Sequence, residues 1–356
     1  MILDRLVLKN FRTYGELDIS FGEGLNLILG DNAVGKTNLA EAIQYISLAR
    51  SWRSSSDRVL IKAGADMALI QAYLKEGALR RSIEIEIAKE GKRVKINGKP
   101  VNRLSELSKS ANVIVFAPSD VPLFAGAPSE RRAFLDVSIS KQSPDYFSLM
   151  SKYARLLKSR NAALKQAHPD VALLRTYSDQ MSELTIPIIR YRTMFVSSLN
   201  RVLPSVYGQL SGQQSRCEVV YRPFLKGADI SPEKAKKAFE EALESDLMHR
   251  ATGVGVHRED ISLMLNGENI ANYGSQGENR TAVIAVKLSP YFLIEDESKK
   301  PIAVLDDINS ELDSGRVGRL MGLLEKLGQV FVTATKLDIA GASVIDVAEH
   351  SATRRI

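Results

Sequence analysis

Gly30-Asp31-Asn32-Ala33-Val34-Gly35-Lys36-Thr37 lies between an apolar run, Leu25 to Leu29, and a segment, Asn38 to Ala49, with the length and apolar spacing of a helix. A G-x-x-x-x-G-K-[ST] pattern between strand and helix is a phosphate-binding loop. Glycines at both ends let the backbone curl so that successive N–H groups point at phosphate oxygens, and the helix adds its positive N-terminal end. Lys36 then neutralises the β- and γ-phosphates, and the Thr37 hydroxyl completes a magnesium shell. Gly30, Asp31, Asn32, Ala33, Val34, Gly35, Lys36, Thr37 and Asn38 are the expected nucleotide contacts.

Farther along, Ile302-Ala303-Val304-Leu305 is an apolar run typical of a buried parallel strand, and it ends in two carboxylates, Asp306 and Asp307. Such a strand places Asp306 beside the loop's magnesium and leaves Asp307 to orient or deprotonate the attacking water. Ser275-Gln276-Gly277-Glu278-Asn279-Arg280 precedes Thr281 to Leu293, which has helical spacing. A serine hydroxyl and a glycine N–H at a helix start form a second anion cradle. In ATP-binding-cassette proteins that cradle faces the nucleotide of the opposite subunit, so Ser275, Gln276 and Gly277 predict an ATP-dependent homodimer. Leu210-Ser211-Gly212-Gln213-Gln214 is superficially closer to the cassette signature. It lies far upstream of Asp306, however, and the following SRCEVVYRPF reads as a strand, so no helix dipole points at phosphate.

Ser310-Glu311-Leu312-Asp313 stands where cassette ATPases carry a loop across the dimer interface, and Asp313 joins the expected nucleotide contacts. Thr333-Ala334-Thr335 ends the last strong strand, where many cassette ATPases have a histidine that senses the γ-phosphate. With hydroxyls alone, slow hydrolysis is expected. Catalysis is assigned to Asp307, Lys36 and Ser275, and the Mg2+ ligands to Thr37 and Asp306.

The chain of 356 residues, 44% hydrophobic and 25% charged, suffices for two domains or one elaborated one. Strand-like alternation in Ile2 to Leu8, Leu17 to Phe21 and Arg80 to Ile87, and the hairpin dipeptide Asn97-Gly98, give a mixed α/β beginning. After Pro118 a proline- and glycine-rich stretch leads into long helical patterns. Strand character returns near Val256. The expected fold is an α/β ATPase head split between residues 1–118 and 250–356, with an inserted helical arm at 119–249; residues 270–295 are allowed to pack with the arm. A formal charge of +6 is compatible with a polyanionic partner, and one cysteine, Cys217, forms no internal disulfide. No run reaches transmembrane length, so a cytoplasmic protein without a membrane partner is expected.

Further motifs are Leu8-Lys9-Asn10-Phe11-Arg12, Pro128 with Arg131-Arg132 and Leu135-Asp136, Arg160-Asn161-Ala162-Ala163-Leu164-Lys165, and Gly255 with His257-Arg258-Glu259-Asp260. With the ATPase motifs, they resemble the RecF family of bacterial DNA replication and repair proteins, relatives of the SMC-like ATPases, essentially end to end. Val256, Ser119 and Glu259 stand where that family usually has proline, an acidic residue and aspartate. The resemblance implies a P-loop ATP-binding-cassette-type head, SMC-like, with a helical arm, and ATP and Mg2+ as cofactors. It implies a weak DNA-linked ATPase that dimerises on ATP, binds double-stranded DNA, including gaps or single-strand/double-strand junctions, and supports recombinase loading with RecR and RecO. It also places Arg12 among the nucleotide contacts and marks Arg258 as a carried-over candidate. Arg131, Arg132, Lys152, Arg155, Lys158, Arg160 and Lys165 give the first arm helices a basic face able to meet phosphates without reading bases. A transporter-type or other energy-coupling cassette ATPase shares these motifs, but inserts far less between Thr37 and Ser275. A small-molecule P-loop kinase would leave the Ser275 cradle without a purpose.

Overall fold

The computed structural model describes residues 1–54, 56–101, 105–227, 230–294, 296, 300–307, 314–324 and 326–355. The chain divides into two compact units: Met1–Val121 with Ser205–Ser215 and Ser275–Ile356, and Pro122–Pro204 with Arg216–Gly274.

In the first unit, alternating apolar residues build an antiparallel sheet in the order Tyr14–Ser20, Ile2–Phe11, Met67–Glu76, Leu79–Ala88, Gly91–Ile96, Lys99–Pro100. Leu3, Leu6, Leu8, Ile70, Ala72, Ile83 and Ile85 point into its core. Asn97 and Gly98 both adopt positive φ, which a two-residue hairpin turn between Ile96 and Lys99 demands. A second sheet runs Ser351–Arg354, Ser343–Ala348, Leu25–Leu29, Val330–Ala334, Ile302–Leu305, Val113–Phe116, parallel apart from its first strand. Every residue of Ile302–Leu305 and Val330–Ala334 is buried, as strands covered on both faces require. Lys36–Leu48 packs against this sheet and contributes Leu39, Ala40, Ile43 and Ile46 to the shared core. The carboxyl ends of the parallel strands therefore gather the loop at Gly30, the Asp306 turn and the residues after Thr333 at one edge.

The second unit contains the helices Pro128–Gln142 and Pro144–Leu164, most of Val171–Ser211, the shorter Pro232–Glu241 and Leu243–His249, and a three-stranded sheet. There Asp260–Leu265 pairs antiparallel with Cys217–Arg222 along its whole length. That pairing explains a departure from the expected boundary: residues 250–274 belong with the second unit because their strand partner lies there, whereas helix Gln276–Leu288 belongs with the first.

The interior of the second unit is organised by two buried arginines. Arg160, fully buried, donates to Asp246 at 2.7 Å, Thr252 Oγ1 at 2.8 Å and Ser178 Oγ at 3.0 Å. Arg192 donates to Glu259 at 2.6 Å, the Val256 carbonyl at 2.8 Å, Asp136 at 2.8 Å and Tyr146 Oη at 3.0 Å. Glu259 additionally accepts from Tyr221 and from the Phe224 N–H, so the glutamate's length is used in full. Charges this deep are tolerated because each is paired and hydrogen-bonded.

His257 joins the same interior. Its Nε2 faces the Thr252 carbonyl at 3.0 Å and its Nδ1 faces Tyr153 Oη at 3.1 Å. A neutral ring protonated on Nε2 satisfies both, donating to the carbonyl and accepting from the tyrosine. Burial first, and then the nearby cations Arg258 and Arg132, push the imidazole down to about 4. The unfolded chain takes up this proton near pH 6.5 and the folded chain only near 4, so stability falls as pH drops through that window. His257→Gln is expected to lessen the loss between those two pH values by up to about 3 kcal/mol. Identical pH slopes for parent and variant in urea titrations would refute this.

Candidate nucleotide site

The loop Gly30–Thr37 is shaped by close backbone approach. Gly30 has φ +154°, and a Cβ there would lie 2.2 Å from the Val347 carbonyl. Gly35 has φ +116°, with Tyr14 Oη 3.1 Å from its would-be Cβ. Tyr14 donates to the Gly35 carbonyl, while His350, on the turn after Ser343–Ala348, hydrogen-bonds the Val34 carbonyl at 3.2 Å. No side chain caps helix Lys36–Leu48 at Gly35, which leaves the first N–H groups of the helix to a ligand. Lys36 folds back, its Nζ donating to the Gly30 carbonyl at 2.7 Å and the Asp31 carbonyl at 2.6 Å. Burial draws its ammonium below the ordinary value, against the pull of Asp307, Asp306 and Asp31.

Three stretches of chain meet at Asp306. Its Oδ1 accepts from Thr37 Oγ1 at 3.0 Å and from Thr333 Oγ1 at 2.7 Å. Thr333 Oγ1 also accepts from the Asp307 N–H at 2.8 Å. One hydroxyl thereby fixes the buried carboxylate and the backbone of the exposed one. Asp307 sits at φ +50°, a conformation that costs a non-glycine residue free energy and is common in functional loops. Burial raises the Asp306 carboxyl above its ordinary value, opposed by the Thr333 and Thr37 hydroxyls, while Asp307's charge acts in the same sense as burial. Thr333 is a residue whose part the sequence signals only weakly: its hydroxyl stands where a sensing histidine was sought, yet it serves the carboxylates.

Ser275, Gln276 and Gly277 form a second cluster, at the start of Gln276–Leu288. Ser275 is the N-cap, and Glu278 closes a reciprocal capping box with it. Lys287, near the far end of the helix, pairs with Asp120 in the short turn Pro118–Asp120. Asp313 and the rest of Ser310–Asp313 lie outside the described residues.

Other expected site residues are placed differently. Arg12 donates to both carboxylate oxygens of Glu41, at 2.8 and 2.7 Å, and to the Val59 carbonyl at 3.1 Å, so all three of its nitrogens serve the protein. Asn38 donates to Thr13 Oγ1 and accepts from Arg53 Nη1 at 2.8 Å. Arg53, part of no recognised motif, also contacts Glu41 at 3.2 Å and lowers the Asp306 carboxyl from a distance. Among the basic face residues, Arg160 is fully buried and Arg131 is 9% exposed, bound bidentately to Asp260. Arg132 donates to the Glu259 carbonyl at 3.0 Å. Arg131 and Arg160 are therefore structural cations rather than phosphate contacts, whereas Lys152, Arg155 and Lys158 are exposed on one stripe of Pro144–Leu164.

Thr333→Val removes the hydroxyl from both carboxylate positions at nearly constant volume. It is expected to cost about 1–3 kcal/mol, the penalty for leaving buried polar groups unsatisfied, read as a lower denaturation midpoint at unchanged slope. An unaltered midpoint would show that the hydroxyl does not hold the site.

The profile of the RecF/RecN/SMC N terminal domain family matches residues 2–348. A DNA replication and repair protein RecF from Geobacillus thermodenitrificans is 36% identical over 348 residues, 95% of this chain and 94% of that one. The RecF of Clostridium tetani is 34% identical over 345 residues, covering the same shares. A solved structure described as the recombination mediator protein RecF with ATP, in the RecFOR pathway, superposes with a TM-score of 0.91 at 30% identity, covering 100% of this chain and 98% of that one. An Smc head bound to the C-winged helix domain of ScpA matches with a TM-score of 0.61 at 17% identity and shares the fold. The loop, the carboxylate strand and the helix-start serine thus occur on a chain that belongs, over nearly its whole length, to the RecF family of DNA replication and repair proteins.

Proposed function

We propose that this protein is an ATP-gated DNA clamp of recombinational repair, acting in the cytoplasm as a pair of copies that close on double-stranded DNA when ATP is bound and reopen on slow hydrolysis. The observation that carries the reading is the union of Thr37, Asp306 and Thr333 beside a complete phosphate loop, with Asp307 held at its rim. An ATP-bound RecF structure with the same fold over the whole chain supports ATP as the nucleotide. The same likeness disfavours a transporter-type role, and among the described residues no helix is long and apolar enough to cross a membrane.

Thr37 and Asp306 offer a hydroxyl and a carboxylate 3.0 Å apart, hard oxygen donors of the kind magnesium takes alongside phosphates. The raised Asp306 carboxyl fits a position completed by a cation. A magnesium ion held by Thr37 and Asp306 would supply positive charge against the phosphates of the nucleotide. Lys36 leaves the Gly30 and Asp31 carbonyls for phosphate oxygens, and Asp307, its backbone fixed by Thr333, orients the attacking water and takes its proton. Hydrolysis is slow because Thr333, at the strand end, is committed to Asp306. Ser275, Gln276 and Gly277 complete the site from the other copy, as does Asp313. Lys152, Arg155 and Lys158 are the proposed DNA contacts, and RecR- and RecO-like proteins the partners, with gaps or junctions as the DNA target.

Sedimentation with ATP is expected to convert monomer to dimer in the parent, and not in Lys36→Met or Ser275→Arg; monomer throughout would defeat the pairing model. Duplex binding in the presence of a non-hydrolysable ATP analogue is expected to weaken with salt, and a triple Lys152→Ala, Arg155→Ala, Lys158→Ala variant to reduce the log–log slope by roughly 3. A slope the same as the parent's would remove these residues from the interface.

A further inference from the structure

The cradle at Ser275 is closed by the chain's own carboxylate. Glu278 Oε2 accepts from the Ser275 backbone N–H at 2.8 Å and from the Ser275 hydroxyl at 2.7 Å, while Ser275 Oγ accepts from the Glu278 N–H at 3.2 Å. At the phosphate loop, by contrast, no side chain caps the helix. A serine hydroxyl has one proton to donate, so while it is bonded to Glu278 it is withheld from any other anion. A carboxylate at that helix start also repels an approaching triphosphate.

Arg316 lies against the same turn. A Cβ on Gly277 would come within 2.7 Å of Arg316 Nη1, so the absence of a side chain there is what lets this guanidinium lie against the turn. After the Ser275 hydroxyl and N–H, the charge of Arg316 is what holds the Glu278 carboxyl below its ordinary value. Arg316 belongs to Ser314–Leu324, the helix that follows the Asp306–Asp307 segment. The Glu278 carboxylate is therefore drawn by this cation as well as by the Ser275 donors.

We propose that Glu278 is an internal competitor for the second copy's triphosphate: it occupies the Ser275 donors in the unpaired chain and must release them before the cradle can accept phosphate. The proposal rests on the paired-subunit reading above. Glu278 then sets the ATP concentration at which copies pair, and an otherwise attractive helix start is kept shut against stray anions.

The test measures ATP-driven dimerisation by sedimentation for the parent, Glu278→Gln and Glu278→Ala, with binding of a fluorescent ATP analogue followed in parallel at protein concentrations that keep the chain monomeric. Gln keeps a capping side chain without the charge. Ala can make no bond of its own to phosphate, so it separates release of the carboxylate from a new amide contact. Both variants are expected to pair at an ATP concentration roughly five- to tenfold lower than the parent, with the gain confined to the pairing step. Pairing at the same or higher ATP concentration would overturn the proposal, as would an equal gain in monomer binding, which marks a general charge effect. A parent that stays monomeric in ATP defeats the paired-subunit reading itself and this inference with it.

Discussion

Everything at the nucleotide site depends on the Asp306 carboxylate being held between two threonine hydroxyls. Thr37 reaches it from the helix that leaves the phosphate loop, and Thr333 from the neighbouring strand, so three separate stretches of chain converge on one oxygen. Burying a carboxylate is costly unless its lone pairs are used. Here the two hydroxyls bond one of its oxygens, while burial still raises the carboxyl above its ordinary value. The sheet order makes the convergence automatic, because Leu25–Leu29, Val330–Ala334 and Ile302–Leu305 are adjacent parallel strands whose carboxyl ends lie together.

Both halves of the proposed composite site satisfy themselves within one chain. Lys36 is bonded to carbonyls of its own loop, and Ser275 to its own helix through Glu278. On the proposed reading, nucleotide binding would exchange internal hydrogen bonds for bonds to phosphate, and the net gain would be smaller than a list of new contacts suggests. Such an exchange would give a physical meaning to the proposed ATP-operated switch: neither half would need rebuilding, but each would release a partner before engaging the ligand.

Much of this was legible in the sequence because local rules and global fold agree. The phosphate loop, the apolar run into Asp306 and Asp307, and the serine at a helix start are all patterns whose spacing carries their geometry. The strand after Leu210-Ser211-Gly212 was legible too: Cys217–Arg222 is a strand, which settles that the signature-like sequence before it starts no helix. Periodicity failed where the decision concerned which face of a helix is turned inward. Arg131 and Arg160 share a basic pattern with Lys152, Arg155 and Lys158, but their partners, Asp260 and Asp246, lie more than eighty residues away and leave no local signature. Arg53 was missed for the same reason, since it is positioned through a buried glutamate, Glu41, that no phosphate-loop pattern includes.

The central claim, that each nucleotide is held by Lys36 of one copy and Ser275 of another, is tested most directly by mixing two inactive chains. Lys36→Met keeps a sound cradle, and Ser275→Arg keeps a sound phosphate loop. A mixed pair contains one complete site, so the ATPase activity of the mixture is predicted to rise well above the sum of the two variants measured alone. Activity no greater than that sum, under conditions where the parent pairs and hydrolyses ATP, would contradict the account.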